Sequence, residues 1–242
     1  LTTLGWSIGV AMLAVLAAVP AARLLASVGE KTRAVLLAAL ILGLLLPTWA
    51  VYYAWWASTP PGTTLYDLAA NSGGVAPIRW CMLAVAMIAG TWPLVTCCVL
   101  PASMRWSVAR DDQLTLDGAG VFGRQLARLR VERAGLLVGA IVAAIMTASC
   151  TTAFDLAGVF TIANEIRAQA ALGADVVRLA AIVWPVLIAA ILVAGVLWWW
   201  VGRMGDDINA PDRISGGGLI GTIFAGTAWV VLVAAPLLLL TT

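Results

Sequence analysis

Six mostly apolar stretches, each about as long as a membrane span, divide this chain. They are residues 4–26, 35–56, 80–101, 135–154, 179–201 and 219–240. A helix of about 20 apolar residues crosses the ~30 Å hydrocarbon core of a bilayer. The stretches hold over half of the 242 residues, which leaves no room for a sizeable soluble domain. The sequence therefore predicts an all-α integral membrane protein, a polytopic bundle of about six transmembrane helices.

The positive charges are divided unevenly among the connections between these stretches. Eleven of the 14 Lys and Arg residues lie in or beside the first, third and fifth connections, and three lie in the second and fourth. Because cytoplasmic loops carry an excess of Lys and Arg, we predict a multi-pass protein of the inner (plasma) membrane whose chain begins outside. The net charge of +2 is too small to indicate a nucleic-acid partner.

Residue types that carry metal or catalytic chemistry are scarce in the sequence. It has no histidine, and its four cysteines fall in apolar stretches without a CxxC spacing, so we expect no metal site and no cofactor. It also has no Gly-x-x-x-x-Gly-Lys-Ser/Thr loop, so we do not expect the chain to bind ATP. These features argue against an enzyme, and we expect no catalytic residues in the chain.

The third connection, residues 102–134, is the largest polar segment. Asp111 and Asp112 suit a helix start, because their carboxylates can cap free N–H groups, and Gly118–Gly120 should end that helix. A second helix should follow, with three apolar residues on one face: Phe122, Leu126 and Leu129. We expect this helix–turn–helix to lie along the membrane surface. It would dock to another protein, or anionic headgroups would hold it at about 1 kcal/mol per basic residue.

The other connections differ in composition. Residues 58–79 are rich in Pro, Gly and Asn and predict a loop, and residues 204–218 predict a flexible cytoplasmic connector. Residues 154–178 have apolar side chains at helical spacing, which predicts a short amphipathic helix near the outer surface.

Hydroxyl side chains near the end of the fourth stretch suggest a substrate path. The candidates are Thr147, Ser149, Thr151 and Thr152, with Asp155 at the outer end. The alternative is that these hydroxyls pack helices together or bond their own backbone carbonyls.

The polar segment resembles the cytoplasmic loop of binding-protein-dependent ABC transporter permeases, whose signature contains Glu-Ala-Ala followed by Asp-Gly-Ala. Asp112-Gln113-Leu114 stands at the position of the first triplet, and Asp117-Gly118-Ala119 matches the second. The segment Thr161–Ile166, "TIANEI", is similar to one in the ferric-iron-type permeases. The resemblance covers residues 1–203 as a five-helix type I permease core. Residues 219–242 resemble the first helix of a second half, and we expect the chain to be a piece of a longer protein.

This resemblance implies a permease subunit of an ATP-driven importer, with ferric iron or another small solute as cargo. The implied partners are a cytoplasmic ABC ATPase subunit, an extracytoplasmic solute-binding protein and a second permease half, in the same chain or another copy. In the family the loop forms a coupling helix that sits in a groove of the ATPase. The coupling residues carried over are Asp112 as helix cap, Asp117, Gly118 for close backbone approach, Ala119, and Phe122 to fill an apolar hollow.

A secondary transporter, not driven by ATP, is the alternative function. Such a protein carries its site on an ionisable or unwound element near the middle of the membrane. Gly90 and Pro93 in the third stretch are the candidate for that element.

Overall fold

The computed structural model describes residues 2–71 and 74–173, with six isolated positions between 175 and 195. The two continuous ranges contain helices and no strand, so the predicted all-α class is confirmed. The helices are α1 (Thr2–Ser27), α2 (Glu30–Leu44), α3 (Thr48–Ala57), α4 (Thr64–Asn71), α5 (Ala76–Ser103), α6 (Val108–Leu116), α7 (Val121–Ser149), α8 (Thr151–Leu156) and α9 (Ile162–Ala171).

Three of these helices are long and apolar enough to cross a membrane. α1, α5 and α7 have 26, 28 and 29 residues, and an 18-residue stretch within each has a mean hydropathy of 2.1, 2.0 and 1.7, respectively. The pair α2 and α3 adds a fourth crossing if the two count as one span. The protein is therefore a membrane protein by the length and composition of its described helices. The predicted connector at 204–218 and the spans at 179–201 and 219–240 lie outside these ranges, apart from four isolated positions.

α1, α5 and α7 pack on one another and form the core. α7 lies very close to α5, because a Cβ at Gly139 would be 2.7 Å from a methyl group of Val95. A Cβ at Gly135 would be 2.5 Å from the carbonyl oxygen of Cys98. Small residues allow such close approach of membrane helices. The two helices run antiparallel, and the end of α5 lies beside Glu132, near the middle of α7.

The second predicted span is broken rather than continuous. α2 and α3 meet at an angle of 80°, and Pro47 is the N-cap of α3. Proline has no N–H to donate, and it disfavours the helical conformation at the preceding residue, Leu46. The prediction of one helix over residues 35–56 was therefore wrong, and α2 also begins earlier, at Glu30.

This break lies against a second one. Thr48 Oγ1, at the start of α3, is 2.6 Å from Sγ of Cys150, the residue that separates α7 from α8. Gly90 of α5 completes the contact, since a Cβ there would lie 2.5 Å from Thr48 Cγ2. Two interrupted helices thus meet beside the middle of α5.

Two connections contain helices. The segment predicted as a loop at 58–79 includes α4, which corrects that prediction. The amphipathic helix predicted within 154–178 is confirmed as α9. Its start is fixed by a capping box, in which Thr161 and Asn164 exchange side-chain and backbone hydrogen bonds.

Candidate functional site

α6 begins earlier than the sequence predicted. Its N-cap is Ser107, whose Oγ accepts a hydrogen bond from the N–H of Arg110 at 3.2 Å. Serine is as good a cap as aspartate, so the helix starts at Val108. Asp111 and Asp112 lie inside it, and their predicted role as the helix start was wrong. Asp112 is exposed, and Asp111 binds a residue of α7 instead.

The end of α6 follows the prediction that Gly118–Gly120 interrupts the helix. Asp117 is the C-cap, and Gly118 has a φ of +76°, a conformation that glycine adopts without steric cost. The N–H of Ala119 donates to the carbonyl of Leu114 at 2.9 Å, which closes the turn as in a Schellman motif. No atom of the described residues lies within 4 Å of a Cβ built at Gly118. Within this chain the glycine serves the turn rather than close approach.

Three large apolar side chains project around this turn. Leu116, Val121 and Phe122 are 88%, 67% and 82% exposed, and we call them the apolar tip. α7 then continues without a break from Val121 to Ser149, so the expected separate helix along the membrane surface does not form. At 1.5 Å per residue α7 is about 43 Å long and exceeds the ~30 Å hydrocarbon core by roughly 13 Å. The charged residues of α7, from Arg124 to Arg133, all lie in the half that begins at the tip, so we expect the excess length, and the tip with it, to lie outside the hydrocarbon region.

Arg128 of α7 attaches α6 to the bundle. Its Nη2 donates to Asp111 Oδ2 at 2.8 Å, and its guanidinium carbon is 5.2 Å from the ring centroid of Trp106. The guanidinium of Arg110 lies 5.5 Å from the same centroid. The Trp106 ring is buried, which strengthens such cation–π contacts. The tip therefore lies between two helices, the end of α6 and the start of α7, that an ion pair and an aromatic ring hold together.

A buried ion pair lies one helical turn further along α7. Arg23 of α1 donates to both carboxylate oxygens of Glu132, from Nε at 2.9 Å and from Nη2 at 2.7 Å. Ser103, the last residue of α5, donates to Glu132 Oε1 at 2.9 Å, and Gln125 accepts from Arg23 at 2.6 Å. We call these four residues the basal joint. It links α1, α5 and α7 at the end of the bundle that carries the tip.

The basal joint was not predicted from the sequence. Glu132 is only 2% exposed although it lies in the polar segment, and its partner Arg23 is 109 residues away. The available signal was Arg23 itself. An ionisable residue inside an apolar stretch needs a partner facing the bundle interior.

The predicted path residues lie in different surroundings. Thr147 is fully buried, and its Oγ1 has no hydrogen-bond partner among the described residues. Ser149 is exposed and donates to the carbonyl of Met146 at 2.8 Å. Thr152 is exposed as well, while Thr151 is partly exposed. The bond of Ser149 to its own helix is the alternative weighed for these hydroxyls, and the path itself stays a prediction.

Asp155 closes the end of the bundle opposite the tip. Its carboxylate accepts from Arg167 at 2.5 Å and from Asn164 at 2.8 Å. The hydrogen bond from Arg167 lowers the pKa of the Asp155 carboxyl below its ordinary value, and the bond from Asn164 adds to this. Because the carboxylate binds side chains of α9, it fastens α9 to the rest of the chain.

In the described ranges, Asp111, Glu132 and Asp155 each form an ion pair with an arginine. In the same residues no group of three or more His, Cys, Asp or Glu side chains is placed to hold a metal ion. These carboxylates therefore hold helices together in this part of the chain.

Comparison with models of known protein families, with curated proteins and with solved structures finds no match to this chain. We therefore infer the function of this chain from the geometry of the described helices and from the sequence motifs.

Proposed function

We propose that this chain is the permease subunit of an ATP-driven importer, and that α6 and the turn after it dock into a separate cytoplasmic ATPase. The observation that carries the proposal is the apolar tip, Leu116, Val121 and Phe122, which is exposed at the apex of a helix–turn–helix. We expect the tip to lie beyond the hydrocarbon region, at the end of the bundle where the arginines cluster, so lipid tails would not cover these side chains. Apolar residues on an ordered polar segment are typical of a protein-docking surface.

The attachment of α6 supports a mechanical role. Arg128 joins α6 to α7, and α7 continues as one helix into the membrane-spanning core. A displacement imposed on the tip would therefore act on α7 as a lever, with no flexible segment between tip and core.

The resemblance to ABC permeases adds roles for single residues of the turn. Gly118 supplies the left-handed turn, Asp117 and Ala119 close it, and Phe122 offers its exposed ring to an apolar hollow of the ATPase. Asp112 does not cap α6, so we assign it a contact with a cation of the partner instead. The same resemblance supports a solute-binding protein, a second permease half, an inner-membrane location and cytoplasmic placement of the tip, with ferric iron or another small solute as cargo.

Co-purification of the full-length protein with its ATPase subunit tests the proposal. Phe122→Asp places a charge in the docking surface, and we expect it to weaken ATPase binding by about tenfold or more, as for an interface anchor. Gly123→Ala is the matched control, because its Cβ would lie 3.7 Å from that of Ala119, an ordinary contact. Equal retention of the ATPase by wild type and Phe122→Asp, or no ATPase bound by wild type, would contradict the proposal.

A secondary transporter remains the second candidate, favoured by the paired helix breaks. α5 continues unbroken through Gly90 and Pro93, so neither forms the predicted unwound element. The breaks at Pro47 and Cys150 meet instead, through Thr48 beside Gly90, and interrupted helices form the sites of many such transporters. Solute uptake by the purified protein in vesicles, driven by an ion gradient without ATP or ATPase, would establish this function. Uptake that requires both ATP and the ATPase would exclude it.

A further inference from the structure

We propose that Arg23 and Glu132 are positioning residues for coupling, and that the basal joint transmits displacement of the tip to α1 and α5. The inference rests on the proposed function, since it assigns the route by which movement at the docking surface reaches the spans. It concerns residues that do not themselves touch the ATPase.

The spacing of Arg128 and Glu132 along α7 supports this inference. Arg128 and Glu132 are four residues apart and therefore lie on one face of the helix, one turn from each other. Arg128 binds α6 through Asp111, and Glu132 binds α1 through Arg23 and α5 through Ser103. One face of α7, the helix that begins with Val121 and Phe122 of the tip, thus connects α6, which ends with Leu116 of the tip, to both of the other long core helices.

The space between Arg128, which holds α6, and Glu132, which holds α1 and α5, also supports the inference. A cavity of about 10 Å³ lies there, lined by Arg23, Ala26, Ser103, Trp106, Arg128 and Glu132. Its volume is that of roughly one water molecule. Because residues of both attachments line it, movement of Trp106 or Arg128 changes the surroundings of Glu132 directly.

The chemistry of the Arg23–Glu132 pair also supports the inference. The pair is bidentate and nearly buried, with side chains 17% and 3% exposed. Well-packed apolar residues often replace such a pair with no loss of stability, because burial removes the hydration of both charges. Stability alone therefore does not require charges at this position. A bidentate pair does impose one discrete geometry, which suits an element that must switch between defined arrangements.

The experiment uses the complete transporter, with its ATPase and second half, reconstituted in vesicles. ATPase binding, ATP hydrolysis and solute taken up per ATP hydrolysed are measured for wild type and Glu132→Gln. Gln keeps the shape and an acceptor for Ser103 but removes the charge. We expect binding and hydrolysis to persist while uptake per ATP falls by about tenfold, the size of a typical coupling effect. The charge exchange Arg23→Glu with Glu132→Arg should recover part of that ratio, and Arg130→Gln, at an exposed position of α7, should keep the wild-type ratio.

Two results would overturn the inference while leaving the proposed function intact. One is an uptake per ATP in Glu132→Gln that equals that of the wild type. The other is a parallel loss of ATPase binding and uptake, which would mean that the pair is purely structural. If Glu132→Gln does not fold, Ser103→Ala takes its place. Ser103→Ala removes one hydrogen bond and should lower the uptake per ATP hydrolysed by about two- to threefold. An unchanged uptake per ATP would again overturn the inference. Failure of the wild type to bind any ATPase is a different result, which removes the proposed function and this inference with it.

Discussion

Arginine–carboxylate pairs hold both ends of the bundle, but the pairs at the two ends differ in burial. At the end with the apolar tip, the side chains of Arg23 and Glu132 are 17% and 3% exposed. At the opposite end, those of Arg167 and Asp155 are 58% and 29% exposed. Water and salt screen an exposed pair, which contributes about 0–1 kcal/mol, whereas loss of one partner of a buried pair leaves an unpaired charge inside the protein.

The difference in burial predicts a difference in rigidity. The tip end joins three long helices through four side chains, so local opening there must break several bonds together. The opposite end fastens the short helix α9, whose residues include none that is buried. Segments with few buried contacts open at low free energy, so we expect the fold to loosen first at α9.

The largest effect should come from Glu132→Ala. This change leaves the Arg23 guanidinium largely buried without its carboxylate, and we expect it to lower the free energy of unfolding by about 3–5 kcal/mol. Denaturant unfolding in detergent, followed by tryptophan fluorescence, measures this. Arg167→Ala is the matched change at the exposed pair and should lower the free energy of unfolding by about 0–1 kcal/mol. Equal losses in the two variants would contradict the comparison.

A smaller effect should come from a single methyl group next to the basal joint. Gly135→Ala places its Cβ 2.5 Å from the carbonyl oxygen of Cys98, and backbone cannot move aside cheaply. We expect a loss of about 1–3 kcal/mol in the free energy of unfolding, as for other overpacked sites. Gly5→Ala, near the start of α1 at the other end, is the control, because its Cβ would meet no described atom within 4 Å. A neutral Gly135→Ala would mean that α7 and α5 are less tightly packed near the tip than the distances indicate.

Local sequence patterns predicted some features of both ends and missed others. Gly118–Gly120 ends a helix, and the apolar spacing at residues 162–171 forms one, because both depend on neighbouring residues only. The cap of α6 was misassigned because Ser107 and the Asp111–Asp112 pair are both acceptable caps, and packing decides between them. The pairing of Arg23 with Glu132 spans 109 residues, and the periodicity of a single helix contains no information on such a distant partner.

The smallest effect concerns pH at the exposed end. Because Arg167 lowers the pKa of Asp155, the carboxylate stabilises the fold above its unfolded pKa of about 3.9. That contribution disappears as the pH falls through the lowered folded value and the group takes up a proton. We therefore expect hydrogen exchange in α9 to speed up in acid more than exchange in α6, after correction for the intrinsic rates. Asp155→Asn should abolish the extra acid sensitivity of α9. If α9 and α6 instead loosen together in the wild type, the two ends open as one unit, and the difference in burial does not produce a difference in rigidity.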